Sequence, residues 1–174
     1  MSLFLDTTYR SSETELMDDF YGRKHNYSFN LVGIDANQDA VDYATELSVD
    51  YPELSFRNED VFSEAFQELD YDVVLTTLFL HHFKEEDIKT LLSNLSKKAN
   101  LGIVVNDLQR SEIAYGLFKI LGLVISNHMI KEDGLTSILR AFKREDLVHI
   151  SKALNLKSQI HWKWAFRYQW LIRT

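Results

Sequence analysis

Apolar residues along this chain recur at two spacings, short unbroken runs and a helical period, and the two alternate. Residues 29–35 (FNLVGID) are a short apolar run that closes on an acid, which predicts a strand. From Asn37 onward, Ala40, Val41, Ala44 and Leu47 follow a helical period, with Asn37 placed to cap the helix and Pro52 beyond its end. Residues 54–57 (LSFR) predict a second short strand, followed by the loop NEDVF. Residues 72–80 (DVVLTTLFL) are apolar on both faces and rich in β-branched side chains, as in the covered centre of a parallel sheet. A helix over 85–99 starts with Glu85, Glu86 and Asp87 and ends with Lys97 and Lys98, each charge at the matching end of the helix dipole. Ile88, Leu91, Leu92, Leu95 and Ala99 form its buried stripe, and a strand at 102–107 (GIVVND) follows. Repeated β-α-β units predict an α/β fold with a doubly wound, mostly parallel, right-handed sheet of Rossmann-like form.

After Asp107 the rhythm changes. Residues 111–126 are apolar on most sides and predict a long helix, and NHMIKEDGLTS after it reads as a loop able to cover a site. Another helix is expected over 143–154, with Glu145 and Asp146 in its first turn. In the tail, Trp162, Trp164, Phe166, Tyr168 and Trp170 alternate strictly, which is strand spacing with one aromatic face buried. One long strand and a tight hairpin turning near Ala165 both fit that pattern.

At 174 residues and 45% hydrophobic content the chain suits a single globular domain. It divides into an N-terminal cover segment (1–28), a core (29–107), a cover (108–142) and a C-terminal helix with strands (143–174). There is no cysteine, so no disulfide framework and no thiolate chemistry; this fits a reducing cytoplasmic compartment. The opening MSLFLDTTYRSSETE turns polar too early for a signal peptide, and no run of about 18 apolar residues predicts a membrane span. The net charge of −7 argues against a general nucleic-acid binder. Charge is unevenly spread, however: residues 1–87 carry 5 basic and 20 acidic side chains, and residues 88–174 carry 14 and 6. Differently solvated faces explain this; an acidic rim around a cationic ligand is the sharper reading, and RNA contact through the basic half a third.

Ligands of open parallel sheets bind beyond the carboxyl ends of the strands, and three polar features fall there. Asp35 in VGIDAN offers two coplanar acceptor oxygens to the hydroxyls of a ribose, and equally reads as a strand-end acid that caps the next helix. Asp60 in NEDVF is placed to accept from a purine amine, or is an exposed loop acid. His81 and His82 follow the central strand directly, where a reacting group would be met, and also fit a core or supporting role.

The order strand–GIDAN–helix, strand–NEDVF, YDVVLTTLFLHHF and GIVVNDL resembles the class I S-adenosylmethionine-dependent methyltransferases. The nearest likeness is to small-molecule enzymes of the ubiquinone/menaquinone-biosynthesis type and relatives near polyketide pathways. It covers residues 29 to about 107, and more loosely NDLQRSEIAYGLF, EDGLTSILRAFKREDL and WKWAFRYQ. The resemblance implies S-adenosylmethionine as cofactor, its ribose held by Asp35 beside Ala36, its adenine by Asp60 and Val61, and its methionine end by Thr77 and Leu78. It also implies a small aromatic or quinone-like acceptor beneath the cover. If that acceptor is a phenol, a nearby base helps, and His82 or His81 is the candidate, with His128 in reserve and Arg140 to meet an anionic acceptor. No metal is implied.

One departure stands out. The family's first strand and its glycine loop, [DE]-x-G-x-G-x-G, are expected some twenty residues before Asp35, where the chain reads ETELMDDFYGRKHNYSFN with Gly22 alone. No two glycines in the chain lie within five residues of each other. The fold is therefore expected to be incomplete, lacking first strand and glycine loop, as though a strand-loop-helix unit were deleted or left out where MDDF meets YGRKHNYSFN. Two readings follow: a small-molecule methyltransferase, or a non-catalytic protein of the same fold acting through partner contacts. In the second, another chain, as in a homo-oligomer, or the N-terminal LFLD segment fills the gap in the sheet.

Overall fold

The computed structural model describes residues 2–5, 30–122 and 128–174. Seven strands form one sheet: β1 (Ser2–Leu5), β2 (Leu31–Asp35), β3 (Leu54–Asn58), β4 (Val73–Thr77), β5 (Gly102–Leu108), β6 (Lys157–Lys163) and β7 (Arg167–Arg173). Their order across the sheet is β3-β2-β1-β4-β5-β7-β6. The first five run parallel, while β7 lies antiparallel to both β5 and β6. Helices α1 (Gln38–Leu47), α2 (Glu64–Gln67), α3 (Glu85–Lys98), α4 (Glu112–Leu121), α5 (His128–Arg140) and α6 (Arg144–Ala153) connect them.

The expected lack of a first strand is corrected by β1. Ser2–Leu5 pairs in parallel with β2 on one side and β4 on the other, at the middle of the sheet rather than in a cover segment. Leu3–Leu5 of the segment LFLD thus take the position the partner-contact reading left for it. The strand lies about ten residues further upstream than the expected spacing. Residues 6–30 between β1 and β2 are long enough for a parallel crossover, which needs a dozen residues or more. The expectation of no glycine loop falls on residues after β1, outside the described ones; the sequence there reads DTTYRSS, without glycine.

Local rules account for most other elements. Asn37 caps α1 by accepting the Asp39 N–H at 3.0 Å, and Ser63 caps α2 by accepting that of Phe66 at 3.0 Å. Helix α3 buries Ile88, Leu91, Leu92 and Leu95, as its period requires. Asp146 caps α6 by accepting the Lys143 N–H at 2.8 Å and also meets Arg110 at 3.2 Å. The core packs Val32, Ile34, Val74, Ile103, Val105 and Trp170 of the sheet against α3 and against Leu147 and Ile150 of α6.

One segment differs from expectation, and in the tail one of the two expected forms is found. NHMIKEDGLTS is not a loop, since α5 runs through it from His128 to Arg140. Gly134 earns its place mid-helix by contact: a Cβ there would lie 2.3 Å from Cζ of Phe118, so the bare backbone seats the α4 aromatic ring. The tail is a hairpin, its turn made possible by positive φ at Ala165 (63°) and Phe166 (55°). Its aromatic face is only partly covered: Tyr168 and Trp170 are buried, whereas Trp162, opposite Tyr168 on the edge strand β6, and Trp164, in the turn, are exposed.

Gly102 adopts φ +149°, and a Cβ on it would stand 2.3 Å from the Ile172 carbonyl oxygen of β7. Backbone cannot yield as a side-chain tip can, so Gly102→Ala is expected to cost about 2–4 kcal/mol, read as a lower thermal midpoint. Tyr71, just before β4, has its phenol pushed up to about 12 by burial and by the adjacent Asp70 carboxylate. A raised folded-state value favours the protonated phenol. That contribution is complete below the unfolded value near 10 and is lost as pH climbs from 10 to about 12. Denaturant titrations of wild type and Tyr71→Phe should therefore diverge in pH dependence across that interval, with the variant flatter.

Candidate functional site

Parallel strands place the ends of β1 to β5 on one edge of the sheet, and the register fixes what meets there. Asp35 pairs with Asn58, and Thr77 with Asn106. Leu5 of β1 pairs with both Ile34 and Thr76, so Asp35 and Thr77 sit at one level on either side of the chain leaving β1. Two strand spacings separate them, about 10 Å.

Asp35, half-buried, ends β2. Its Oδ1 accepts the Asn37 N–H at 2.8 Å, and its main-chain oxygen accepts from the Glu59 N–H at 3.0 Å and from Asn58 Nδ2 at 3.2 Å. The last two bonds lash the loop after β3 to the end of β2. Ala36 follows on the exposed turn. In the next loop Asp60 is exposed and turns the chain by accepting the Phe62 N–H at 2.9 Å, while Val61 is buried in the core. Asp35 and Asp60 thus lie on adjoining loops at the same end of the sheet.

Beyond β4 the chain turns sharply. Leu78 has φ 54°, a left-handed conformation that costs a branched residue about 1–2 kcal/mol, and its N–H is held by the Asn106 carbonyl at 2.9 Å. Strain of this kind survives where surrounding structure over-determines it, and ligand-clamping turns are one such place. A 3-10 turn at Leu80–His82 follows. Phe83 beyond it meets Phe79 edge-on at 4.9 Å and Phe62 at 5.5 Å between ring centroids, joining this turn to the Asp60 loop.

The two histidines part company here. His81 is buried, its Nδ1 2.6 Å from Oδ1 of Asp107 at the end of β5, itself buried. His82 is exposed, its ring tilted against that of His81 with centroids 4.1 Å apart. Asp107 also accepts the backbone N–H of Leu80 at 2.8 Å, of His81 at 3.3 Å and of Leu108 at 2.7 Å. The pattern gave Asp107 no role beyond ending a strand. Its signal, an acid at an inward position of a strand otherwise apolar on that face, was present in GIVVNDL.

Helix α5 packs against both the Leu80–His82 turn and α4. His128 and Arg140 are its first and last residues, both exposed, and His128 lies 3.5 Å from Glu132. About 18 Å of helix separates them at 1.5 Å per residue, so they cannot grip one small group together. Among the described residues no cluster of three His, Asp or Glu suits a metal ion, and no helix is long and apolar enough to cross a membrane.

The sequence pattern of the family described as "Methyltransferase domain" matches residues 19–102. No curated protein matches the chain. Among solved structures, the plantazolicin methyltransferase BpumL in complex with SAH superposes with a TM-score of 0.69 at 15% identity, over 99% of this chain and 75% of that one. Magnesium protoporphyrin IX methyltransferase (ChlM) from Synechocystis PCC 6803 with bound SAH gives 0.58 at 15% identity, over 100% and 74%. An O-methyltransferase family 2 protein from Planctomyces limnophilus DSM 3776, in complex with apigenin, gives 0.68 at 13% identity, over 99% and 49%. At these identities the likeness is one of fold.

Asp107 accepts four hydrogen bonds in a dry environment. Removing its carboxylate in Asp107→Ala strands those donors, and is expected to cost about 3–5 kcal/mol of unfolding free energy in urea titrations.

Proposed function

Because this chain has the fold and the domain signature of the class I methyltransferases, we propose that it transfers a methyl group from S-adenosylmethionine to a small aromatic or quinone-like acceptor. The observation that carries this is the row at the sheet edge: Asp35 and Thr77 at one level on either side of β1, with the Asp60 loop hydrogen-bonded to Asp35. In this reading Asp35 beside Ala36 takes the ribose hydroxyls, Asp60 and Val61 border the adenine, and the strained Thr77–Leu78 turn meets the methionine end. When bound, the cofactor supplies an electrophilic methyl on a sulfonium.

The chain's own share is alignment and exclusion of water, with α5 lying against the Leu80–His82 turn as a cover. The histidine pair 81–82 is where an acceptor proton would go. His128 and Arg140 stand at the two ends of the cover, for different parts of an acceptor.

A second reading, a non-catalytic protein of the same fold, draws on one observation, the glycine-free sequence DTTYRSS after β1. Close backbone approach to a ligand favours glycine, and Cβ atoms on this segment oppose it.

Isothermal titration with S-adenosylmethionine separates the two. Methyl transfer predicts saturable heat with one site, and at least a tenfold weaker affinity for Asp35→Asn, the equivalent of about 1.4 kcal/mol. Absence of heat at millimolar cofactor favours the non-catalytic reading. Transfer of radiolabelled methyl to a panel of phenols and quinols then defines the acceptor.

A further inference from the structure

Four donors converge on Asp107, and only one of them comes from a side chain. Oδ2 receives the backbone N–H groups of Leu80 and His81; Oδ1 receives the Leu108 N–H and faces Nδ1 of His81 at 2.6 Å. An ionised carboxylate has no hydrogen to give, so the imidazole supplies the one between them, and Nδ1 is the protonated nitrogen. That leaves Nε2 to be decided. Among the described residues Nε2 of His81 has no hydrogen-bond partner. Nor is it one of the buried side-chain atoms left without a partner there, so it keeps contact with solvent. Here one nitrogen is bound hard to a carboxylate and the other is left open, at the carboxyl end of β4, on the turn that α5 packs against.

We propose that His81 is the base that takes the acceptor's proton, and that Asp107 is its positioning residue. This rests on the methyl-transfer reading above. In the step, a hydroxyl oxygen of the acceptor attacks the sulfonium methyl. As the O–C bond forms, the C–S bond breaks, and its electron pair stays on sulfur as a neutral thioether. The hydroxyl proton passes to the Nε2 lone pair of His81. The resulting imidazolium is matched by the Asp107 carboxylate, which orients the ring and remains ionised throughout. The proton then leaves to solvent.

The carboxylate's other oxygen holds the main chain of the same turn, so ring orientation and the Leu80–His82 turn are set by one group. The assignment also narrows the acceptor: a base here serves a substrate with an acidic O–H, not an amine or thioether that is already nucleophilic.

The test joins two readouts, the protonation pattern of the imidazole and methyl transfer to phenols. A base needs a bare Nε2, and His81→Gln should lower transfer about a hundredfold or more with SAH affinity unchanged. Equal loss of both would make His81 structural. Long-range proton–nitrogen correlation spectra of the full, nitrogen-15-labelled chain at neutral pH resolve the histidine rings, and His81→Gln identifies the signal of His81. The expected result is a ring with hydrogen on Nδ1 and a bare Nε2. Asp107→Asn should turn the amide so that its nitrogen faces Nδ1, making the Nε2–H form the major one, as loss of an orienting aspartate does in hydrolase triads. SAH titrated into the same sample reports on cofactor binding.

A wild-type ring that carries hydrogen on Nε2, as the other tautomer or doubly protonated, overturns the assignment even if SAH binds. A folded Asp107→Asn chain with an unchanged ring signal removes Asp107 from the positioning role. Failure of the wild type to bind SAH sinks the methyl-transfer reading and this assignment with it. Should Asp107→Asn not fold, the wild-type spectrum still decides the state of His81.

Discussion

A four-residue strand holds this molecule's two halves together. Ser2–Leu5 pairs with β2 on one side and β4 on the other, so within the sheet every relation between the Asp35 edge and the His81 turn passes through its backbone hydrogen bonds. Shifting its register against β2 alone by one residue would move Asp35 relative to Thr77 by a strand rise of about 3.3 Å. The site is therefore set by a pairing rather than by any one side chain. A segment of SLFL is short for such a duty, and parallel pairing on both edges, with neighbours rich in Val, Ile and Leu, is what makes it sufficient.

The second constraint is the buried carboxylate of Asp107. A charge in a dry environment is tolerated only when its lone pairs are occupied, and here the Leu80–His82 turn and the end of β5 supply the donors. The arrangement couples chemistry to fold, since the group that orients an imidazole also pins the chain where β4 ends. With the Leu78 N–H held by the Asn106 carbonyl, β5 contributes the acceptors that fix the whole bend beyond β4. An element contributing no assigned ligand contact thereby determines the geometry of those that do.

How much of this could be read in advance depends on whether the governing interaction is local. The strand at 31–35, the α1 cap at Asn37 and the charged ends of α3 answer to neighbours within a few residues, and pattern alone locates them. The β1 strand entered the sequence reading only as one filler offered for the gap in the sheet, because partners 29 and 71 residues away make it a strand. Asp107 was hidden for the same reason, its partner being 26 residues upstream. Helix α5 was misread because Gly134 and its polar neighbours look like a loop until Phe118 is seen against the glycine backbone. The exposed Trp162 shows the limit of alternation, which assigns a face but not how far along the strand the cover extends; its Nε1 ends on Gln109 at 2.8 Å instead.

The glycine-free segment after β1 bears on affinity rather than on placement. Strand pairing alone positions Asp35, the Asp60 loop and the Leu78 bend, so the absence of glycines does not disperse them. What glycine contributes in such a loop is room for main-chain N–H groups to approach a ligand, and DTTYRSS trades that for threonine and serine hydroxyls and an arginine. Hydroxyls can donate to a carboxylate, and arginine pairs with one bidentately. Side-chain contacts carry an entropy penalty that preformed main-chain contacts do not, so a loop of hydroxyls and a guanidinium holds an anion more weakly than one of glycine main chain.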